Sequence, residues 1–339
     1  MAKYTFKDFK SDQEIRWCPG CGDFSVLAAL QRTLPVVCEE KGIDKDKIVV
    51  VSGIGCSSRL PYYMDTYGFH SIHGRATAIA TGIKVANPDL CVWQVSGDGD
   101  ALAIGGNHFI HAIRRNIDIN LMLFNNRIYG MTKGQYSPTS RLGTVTKTSP
   151  YGTVEPPFNP GSLVLGAKGT FFARSIDTEL ALNQEIMLAS SRHHGTAVME
   201  FLTNCMIFNN GSHAEISAKD VKADRTIVLR DGEKMIFGKD RNKGIMLDGW
   251  KLKVVTIGED GVTEDDILTH DSHSDNLGLQ TMLAEMRWPE FPVALGVIRQ
   301  VPAQTYEDEV ARQVEEVSAK ARIHDMDSLL VSGSTWEQK

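Results

Sequence analysis

Carboxylate and amide side chains stand directly after two apolar runs of the sequence. Asp98 lies in Gly97-Asp98-Gly99-Asp100, and Asn126 ends an apolar run one helix and one strand later. The glycines let the backbone approach an anion closely, and the free N–H groups of a following helix favour a diphosphate. Asp98 and Asn126 supply oxygen ligands of the kind that Mg²⁺ prefers. A lone GDG segment is more often a simple turn, but its pairing with Asn126 predicts a site for a diphosphate and Mg²⁺.

Six cysteines are scattered along the chain, and two of them form a Cys-x-x-Cys pair. Cys18 and Cys21 lie on a loop with Pro and Gly, which suits either Zn²⁺ or an iron–sulfur cluster. No second such pair follows, so a four-ligand site has to be assembled from distant segments. Cys56 and Cys205, which each follow a predicted strand, are the candidates for it. The other two are expected to be small buried residues within a helix and a strand: Cys38 and Cys91.

The elements that must position these residues follow a regular alternation. From about residue 47 to 203, β-branched apolar runs alternate with stretches of helical periodicity, which predicts an α/β, doubly wound, mostly parallel sheet. Ligands bind such sheets at the carboxyl ends of the strands, so the candidate ligands are expected to meet at that edge. The predicted strands are 47–52, 90–97, 119–126, 170–176 and 196–203. The predicted helices between them are 74–86, 104–115 and 178–192.

Two regions depart from this alternation. Residues 137–162 are rich in Pro, Gly, Ser and Thr, which predicts a functional loop that lines a site or an interface. After about residue 205 the alternation weakens into turn-rich segments, an acidic helical stretch at 305–322 and a polar tail. We therefore expect one domain at 1–210 that carries the sites, and a C-terminal covering extension at 211–339.

Composition excludes several classes of protein. The 339 residues carry a formal net charge of -6, which argues against a general nucleic-acid binder. The charged N-terminus does not resemble a signal peptide, and no apolar run is long enough to cross a membrane. The low cysteine density makes a disulfide scaffold improbable. These features predict a cytoplasmic protein without a nucleic-acid or membrane partner.

Several longer segments together resemble one known family. CPGCG, GIGCSSR, HGRATAIATGIK, GDGD through NNRIYGMTKGQYSPTS, and the later Cys205 closely resemble the β subunit of two-subunit 2-oxoacid:ferredoxin oxidoreductases over most of residues 15–210. The resemblance implies a sheet of the thiamine diphosphate-binding type, with Mg²⁺ held by Asp98, Asn126 and the carbonyl of Ile128. It also implies a 4Fe–4S cluster on four cysteines: Cys18, Cys21, Cys56 and Cys205.

The resemblance further implies which residues surround thiamine diphosphate and substrate. The segment GIGCSSRLPYYMDTYGFHSIHGRA is similar to the 2-oxoglutarate branch of the family. There the Arg59 guanidinium would grip the distal carboxylate of the substrate, although an ordinary solvated arginine is the alternative. Lys133 is a weaker candidate for contact with substrate or a CoA phosphate. The implied cofactor contacts are Ile54, Gly55, Cys56, Ser57, His73, Gly99, Asp100, Gly130 and Met131.

The implied reaction is oxidative decarboxylation of 2-oxoglutarate with CoA to succinyl-CoA and CO₂, with electrons passed through the cluster to ferredoxin, and it is reversible. In this family the glutamate that activates thiamine comes from the companion α subunit, so no catalytic side chain is assigned to this chain. The alternatives are the same chemistry on pyruvate or other 2-oxo acids, a thiamine-dependent decarboxylase with structural zinc, and a non-catalytic electron-transfer or scaffold subunit.

Overall fold

The computed structural model describes residues 3–336 and 338. Its strands are β1 Ile48–Ser52, β2 Tyr67–His70, β3 Cys91–Gly97, β4 Asn120–Asn125, β5 Phe171–Ile176, β6 Ala197–Leu202, β7 Thr226–Leu229, β8 Ile236–Phe237, β9 Lys243–Asp248, β10 Lys251–Thr256 and β11 Val293–Gln300. Its α-helices are α1 Asp23–Lys41, α2 Ala76–Ala86, α3 Asp98–Leu102, α4 Gly106–Arg115, α5 Pro160–Gly166, α6 Leu180–Arg192, α7 Ala214–Ser217, α8 Lys222–Arg225, α9 Leu277–Glu285, α10 Tyr306–Lys320 and α11 Met326–Leu330. Within the described residues, none of these helices has the length and apolar character needed to span a membrane.

Eight strands form the main sheet in the order β2-β1-β3-β4-β6-β5-β11-β7. Every neighbouring pair is parallel except β5 and β11, which are antiparallel. The predicted α/β class is confirmed, and the predicted strands and helices are present with ends shifted by one or two residues. The segments after β1, β3, β4 and β6 therefore emerge at one edge of the sheet, as expected.

The region after β3 differs from the prediction. Asp98 does not lie in a turn before a helix near Ile104, because it is itself the first residue of the short helix α3. The helix stops at Ala103, whose backbone leaves the helical region, and α4 begins only at Gly106. Consecutive glycines at 105 and 106 favour this break, because glycine is a poor helix former. Asp98 is thereby fixed by both a strand and a helix.

Helices cover both faces of the sheet, which explains the unbroken apolar character of the central strands. All residues of β1, β4, β5 and β6 are buried, as is usual for parallel strands covered on both sides. One core cluster joins α1 and α6 to side chains such as Trp93 and Phe171. A second cluster joins α4, α5 and α9 to side chains such as Phe172.

The C-terminal extension continues the main sheet across residue 210. Its strands β11 and β7 add to the edge of the sheet next to β5. Its other three strands form a separate antiparallel sheet, β10-β9-β8, whose Phe237 and Ile245 join the same core cluster as Phe172. The acidic stretch at 305–322 forms α10, as predicted. The extension therefore covers the core and also completes its sheet.

A buried ion pair links β5 to β6 within the main sheet. Arg174 and Glu200 are register partners on these parallel strands. The Arg174 Nε lies 2.7 Å from Glu200 Oε2, and the two side chains are 6% and 2% exposed. Removing one partner of such a pair leaves the other charge buried without compensation, which is strongly destabilising.

We expect Arg174→Met to lower the free energy of unfolding by about 3–5 kcal/mol, because it leaves the Glu200 carboxylate buried in the core without a cationic partner. Urea denaturation followed by circular dichroism measures the change. The matched control is Arg312→Met, which removes an exposed pairing with Glu309 and Glu316 on α10 and should cost at most about 1 kcal/mol. Equal losses in the two variants would show that burial does not govern the pair.

Candidate functional site

A cavity lies at the carboxyl ends of β1, β3 and β4, where open α/β sheets bind ligands. It is lined by the segments that follow each of these strands. Every cofactor contact and every Mg²⁺ ligand predicted from the sequence lies on its wall. These residues are Ile54, Gly55, Cys56, Ser57, His73, Asp98, Gly99, Asp100, Asn126, Ile128, Gly130 and Met131.

Asp98 is a buried carboxylate on the wall of this cavity. It is 2% exposed, and its Oδ2 accepts hydrogen bonds from the Ser137 hydroxyl at 2.5 Å and from the Thr139 hydroxyl. Burial raises the pKa of Asp98 to about 6, although both hydroxyls lower it. Among the described residues its side-chain partners are these two hydroxyls, and it takes part in no salt bridge. A divalent cation at the site would stabilise the ionised form, so the local chemistry fits a metal ligand.

Two further oxygen atoms complete the predicted Mg²⁺ site. The Asn126 Oδ1 accepts a hydrogen bond from the Ile128 backbone N–H at 3.1 Å, which holds the amide against its own turn. The Ile128 carbonyl accepts no hydrogen bond from the described residues. A carboxylate, an amide oxygen and a free carbonyl form an oxygen donor set that suits Mg²⁺.

Gly99 packs directly against Tyr129, which lies on the opposite loop of the cavity. The Tyr129 hydroxyl donates to the Gly99 carbonyl at 3.0 Å. A Cβ atom at residue 99 would lie 2.2 Å from the Tyr129 ring, so a side chain there would displace the ring. Burial raises the pKa of Tyr129 to about 12, which keeps the phenol a neutral donor. Glycine at this position therefore allows the segment after β3 to contact the segment after β4.

The four cysteines implied as cluster ligands are neighbours beside this cavity. A Cβ atom at Gly130 would lie 3.6 Å from the Cys56 Sγ and 3.5 Å from the Cys205 Sγ. Burial raises the pKa of Cys21, and the nearby thiols of Cys56 and Cys205 add to the effect. Burial also raises the pKa of Cys56 to about 11, with a smaller contribution from Cys18, which is exposed.

The thiols do not form a closed metal site, because no three Cys, His, Asp or Glu side chains in the described ranges are gathered closely enough to hold an ion. The cluster assignment stays a prediction. The type of donor nevertheless fits an iron–sulfur cluster, since the four residues are thiols. Cys38 and Cys91 are buried in the core away from this group, as predicted.

The two predicted substrate residues do not line the cavity. The Arg59 guanidinium donates to the Arg16 carbonyl at 2.8 Å. Its positive charge lowers the pKa of Cys56, although burial raises that pKa by more. Lys133 is exposed and has a φ of 79°, a left-handed conformation that is uncommon for lysine. The roles of both residues stay predictions.

Sequence reasoning missed the polar residues that contact the predicted Mg²⁺ ligand Asp98 and the end of β4. Ser137 and Thr139 contact Asp98, and the His213 Nε2 donates to the Asn125 carbonyl at 2.9 Å. The first two lie in the 137–162 loop, whose composition predicted a site-lining role but not these contacts. His213 belongs to the extension, where no sequence signal connected it to β4.

His213 is neutral in the folded protein, which predicts a pH dependence of stability. Burial, and then the charge of Arg127, lowers the pKa of His213 to about 3. Below pH about 6.5 His213 takes up a proton in the unfolded chain but not in the native protein. Its contribution to the free energy of unfolding is therefore fully present above pH 6.5 and is lost as the pH falls toward 3.

We expect wild-type protein to lose about 2 kcal/mol of unfolding free energy through His213 between pH 7 and pH 5. His213→Gln should lack this part of the loss in urea denaturation at the two pH values. His324→Gln, at an exposed position, is the control and should follow the wild type. An equally steep loss in His213→Gln would contradict a neutral buried histidine.

Comparison with known proteins agrees with this site. The family described as thiamine pyrophosphate enzyme, C-terminal TPP binding domain, matches residues 53–201, which include the loops of the cavity. The 2-oxoglutarate oxidoreductase subunit KorB of Mycobacterium tuberculosis is 46% identical over 97% of this chain and 87% of the relative. The 2-oxoacid:ferredoxin oxidoreductase 1 subunit beta of Aeropyrum pernix is 42% identical over 68% of this chain and 70% of the relative.

A solved structure is similar over nearly the whole chain. The 2-oxoglutarate:ferredoxin oxidoreductase from Magnetococcus marinus, with 2-oxoglutarate, coenzyme A and succinyl-CoA bound, aligns with a TM-score of 0.77 and 32% identity. The alignment covers 99% of this chain and 98% of the other. The resemblance expected from the motifs is confirmed. The chain belongs to the family of 2-oxoglutarate oxidoreductase KorB subunits, the β subunits of 2-oxoacid:ferredoxin oxidoreductases.

Proposed function

We propose that this chain is the β subunit of a 2-oxoglutarate:ferredoxin oxidoreductase, which converts 2-oxoglutarate and CoA to succinyl-CoA and CO₂ and delivers electrons to ferredoxin. The observation that carries the proposal is that the loops after β1, β3 and β4 meet at one cavity. Relatives named for this activity match almost the full length of the chain. Its place within the cell is proposed to be the cytoplasm, because the low cysteine density suits a reducing compartment.

Thiamine diphosphate is the cofactor that this cavity would hold, with Mg²⁺ on Asp98, Asn126 and the Ile128 carbonyl. The buried Asp98 without a cationic partner and the free Ile128 carbonyl support that metal site. When bound, thiamine diphosphate supplies the nucleophile and the electron sink for decarboxylating a 2-oxo acid. The protein would orient the cofactor, and apolar residues such as Ile54 and Phe124 form part of the wall.

A 4Fe–4S cluster on the four neighbouring cysteines would supply a one-electron redox centre. Cys56 supports this arrangement because it lines the cavity and also lies close to Cys205 beside Gly130. The Trp17 indole N–H donates to the Cys56 carbonyl at 2.7 Å, which ties the Cys56 loop to the segment before Cys18. One residue thus borders both the cofactor site and the cluster site.

The companion α subunit would complete the active site. Thiamine catalysis in this family uses a glutamate, and no glutamate is found among the described residues that line the cavity. An activating glutamate from the α subunit is therefore part of the proposal. Arg59 is proposed to bind the distal carboxylate of 2-oxoglutarate, and Lys133 to contact substrate or CoA, once the subunits are assembled.

The cluster predicts a loss of iron in a single-cysteine variant. Protein purified without oxygen should contain iron and absorb visible light as iron–sulfur proteins do. Cys205→Ala should lose most of both signals, because it removes one of four ligands. Cys38→Ala, which alters a buried cysteine in the core, is the matched control and should retain them. A colourless protein that contains zinc would refute the cluster and favour a structural metal.

The division of labour predicts activity only in the assembled complex. The purified chain alone should not reduce a viologen dye with 2-oxoglutarate, and addition of the α subunit should restore the reaction, with 2-oxoglutarate preferred over pyruvate. Asp98→Ala in the complex should lower the rate at least about 100-fold, because loss of a ligand costs no less than loss of its supporting partners.

Three other results would contradict parts of this proposal. Full activity from this chain alone would contradict the need for a second subunit. Preference for pyruvate or a branched 2-oxo acid would overturn the substrate, while leaving the cofactor chemistry in place. Cofactor binding without any 2-oxo acid oxidation would indicate a non-oxidative enzyme.

A further inference from the structure

Two hydroxyl groups of the 137–162 loop hold one oxygen of the Asp98 carboxylate. The Ser137 Oγ lies 2.5 Å from Asp98 Oδ2, and the Thr139 Oγ1 contacts the same atom. All three residues are at most 3% exposed. No side chain of the described residues donates to the other oxygen, Oδ1. The two hydroxyls therefore fix the carboxylate by one oxygen and leave the other without a side-chain partner.

Thr139 has one hydroxyl proton and three oxygens within reach: Asp98 Oδ2, Asn125 Oδ1 and, at 3.3 Å, the Ser137 Oγ, whose own proton Asp98 takes. Its Oγ1 also lies 2.9 Å from the Asn125 Oδ1, and that oxygen accepts from the Arg127 backbone N–H at 3.3 Å as well. A hydrogen bond to an ionised carboxylate is about twice as strong as one between neutral groups. An ionised Asp98 thus takes the Thr139 proton, and Asn125 keeps a donor from Arg127.

The orientation of the Asn125 amide is set by its other neighbour. The Asn125 Nδ2 donates to Glu200 Oε1 at 2.7 Å, and a carboxylate can only accept. The amide nitrogen must therefore face Glu200, which turns the amide oxygen toward Thr139. This assignment follows from chemistry, since amide oxygen and nitrogen are otherwise interchangeable in shape.

The same chain of hydrogen bonds reaches the C-terminal extension. Glu200 Oε2 accepts from the Arg174 Nε at 2.7 Å. The Arg174 Nη1 and Nη2 both donate to the Ala284 carbonyl at 3.2 Å, and Ala284 lies on α9. Asn125, Glu200 and Arg174 are each at most 5% exposed. A buried chain of hydrogen bonds therefore joins Asn125 to the extension. It does not continue to Asp98, because the Thr139 hydroxyl has no second proton for the Asn125 Oδ1.

We propose that Thr139 is a positioning residue for the Mg²⁺ ligand Asp98, because its hydroxyl donates to Asp98 Oδ2. The inference rests on the proposed function, because it takes Asp98 to be a Mg²⁺ ligand. Hydrogen-bond partners behind a metal ligand fix its orientation, and their loss typically costs about 10–100-fold in metal affinity.

The test measures metal affinity directly. Mn²⁺ replaces Mg²⁺ as the probe, since both ions prefer oxygen ligands, and the electron paramagnetic resonance signal of free Mn²⁺ reports binding. The sample is the complex of the full chain with its α subunit and saturating thiamine diphosphate. We expect Thr139→Val to raise the Mn²⁺ dissociation constant about 10–100-fold. Thr139→Ser keeps the hydroxyl and should recover most of the affinity.

A matched control separates positioning from a general effect on the fold. Thr203 is a buried threonine whose hydroxyl has no partner within the part of the chain that is described, so Thr203→Val should leave the Mn²⁺ affinity unchanged. Thermal unfolding without metal shows that each variant is folded at the assay temperature.

The outcomes distinguish the inference from the function on which it rests. If Asp98→Ala abolishes Mn²⁺ binding while Thr139→Val binds like the wild type, the positioning role is wrong and the proposed metal site stands. Equal losses in Thr139→Val and Thr139→Ser would also overturn it, because the hydroxyl would not matter. Unchanged binding in Asp98→Ala would refute the metal site itself.

Discussion

A carboxylate is costly to bury without a positive charge beside it, and Asp98 is buried in this way on the wall of a cavity. The surrounding structure tolerates the group through two hydroxyl donors, which lower its pKa but do not restore the usual value. A divalent cation would supply the missing charge. Much of the site can be understood from this one requirement, since the oxygens of Asn126 and Ile128 line the same cavity.

The parallel sheet brings these groups to one edge. Strands β1, β3, β4 and β6 run in the same direction, so the segments that follow them emerge at one edge. Cys56 follows β1 and Cys205 follows β6, while Asp98 and Asn126 follow the strands between them. Two of the cysteines and the predicted Mg²⁺ ligands therefore lie at the same edge of the sheet, where ligands of such sheets bind.

The C-terminal extension is more than a cover over this arrangement. Strand β11 pairs with β5 and contributes to the core of the sheet. Through Ala284 the extension also receives the two hydrogen bonds that orient Arg174, whose partner Glu200 lies beside Asn125. Residues far apart in the chain thus share one buried polar network, in which each carboxylate and amide has a defined partner.

The sequence by itself determined the central strands, because strands buried on both faces read as continuous apolar runs. It also indicated Asp98, Asn126 and the cysteine set, because metal ligands must be particular residue types. Only the tertiary structure decided that β11 lies beside β5, that Asp98 begins a helix, and that Thr139 supports Asp98. Those features depend on strand order and on contacts between distant segments, which local periodicity does not encode. Serine and threonine are common in loops, so their composition alone could not identify a support for a metal ligand.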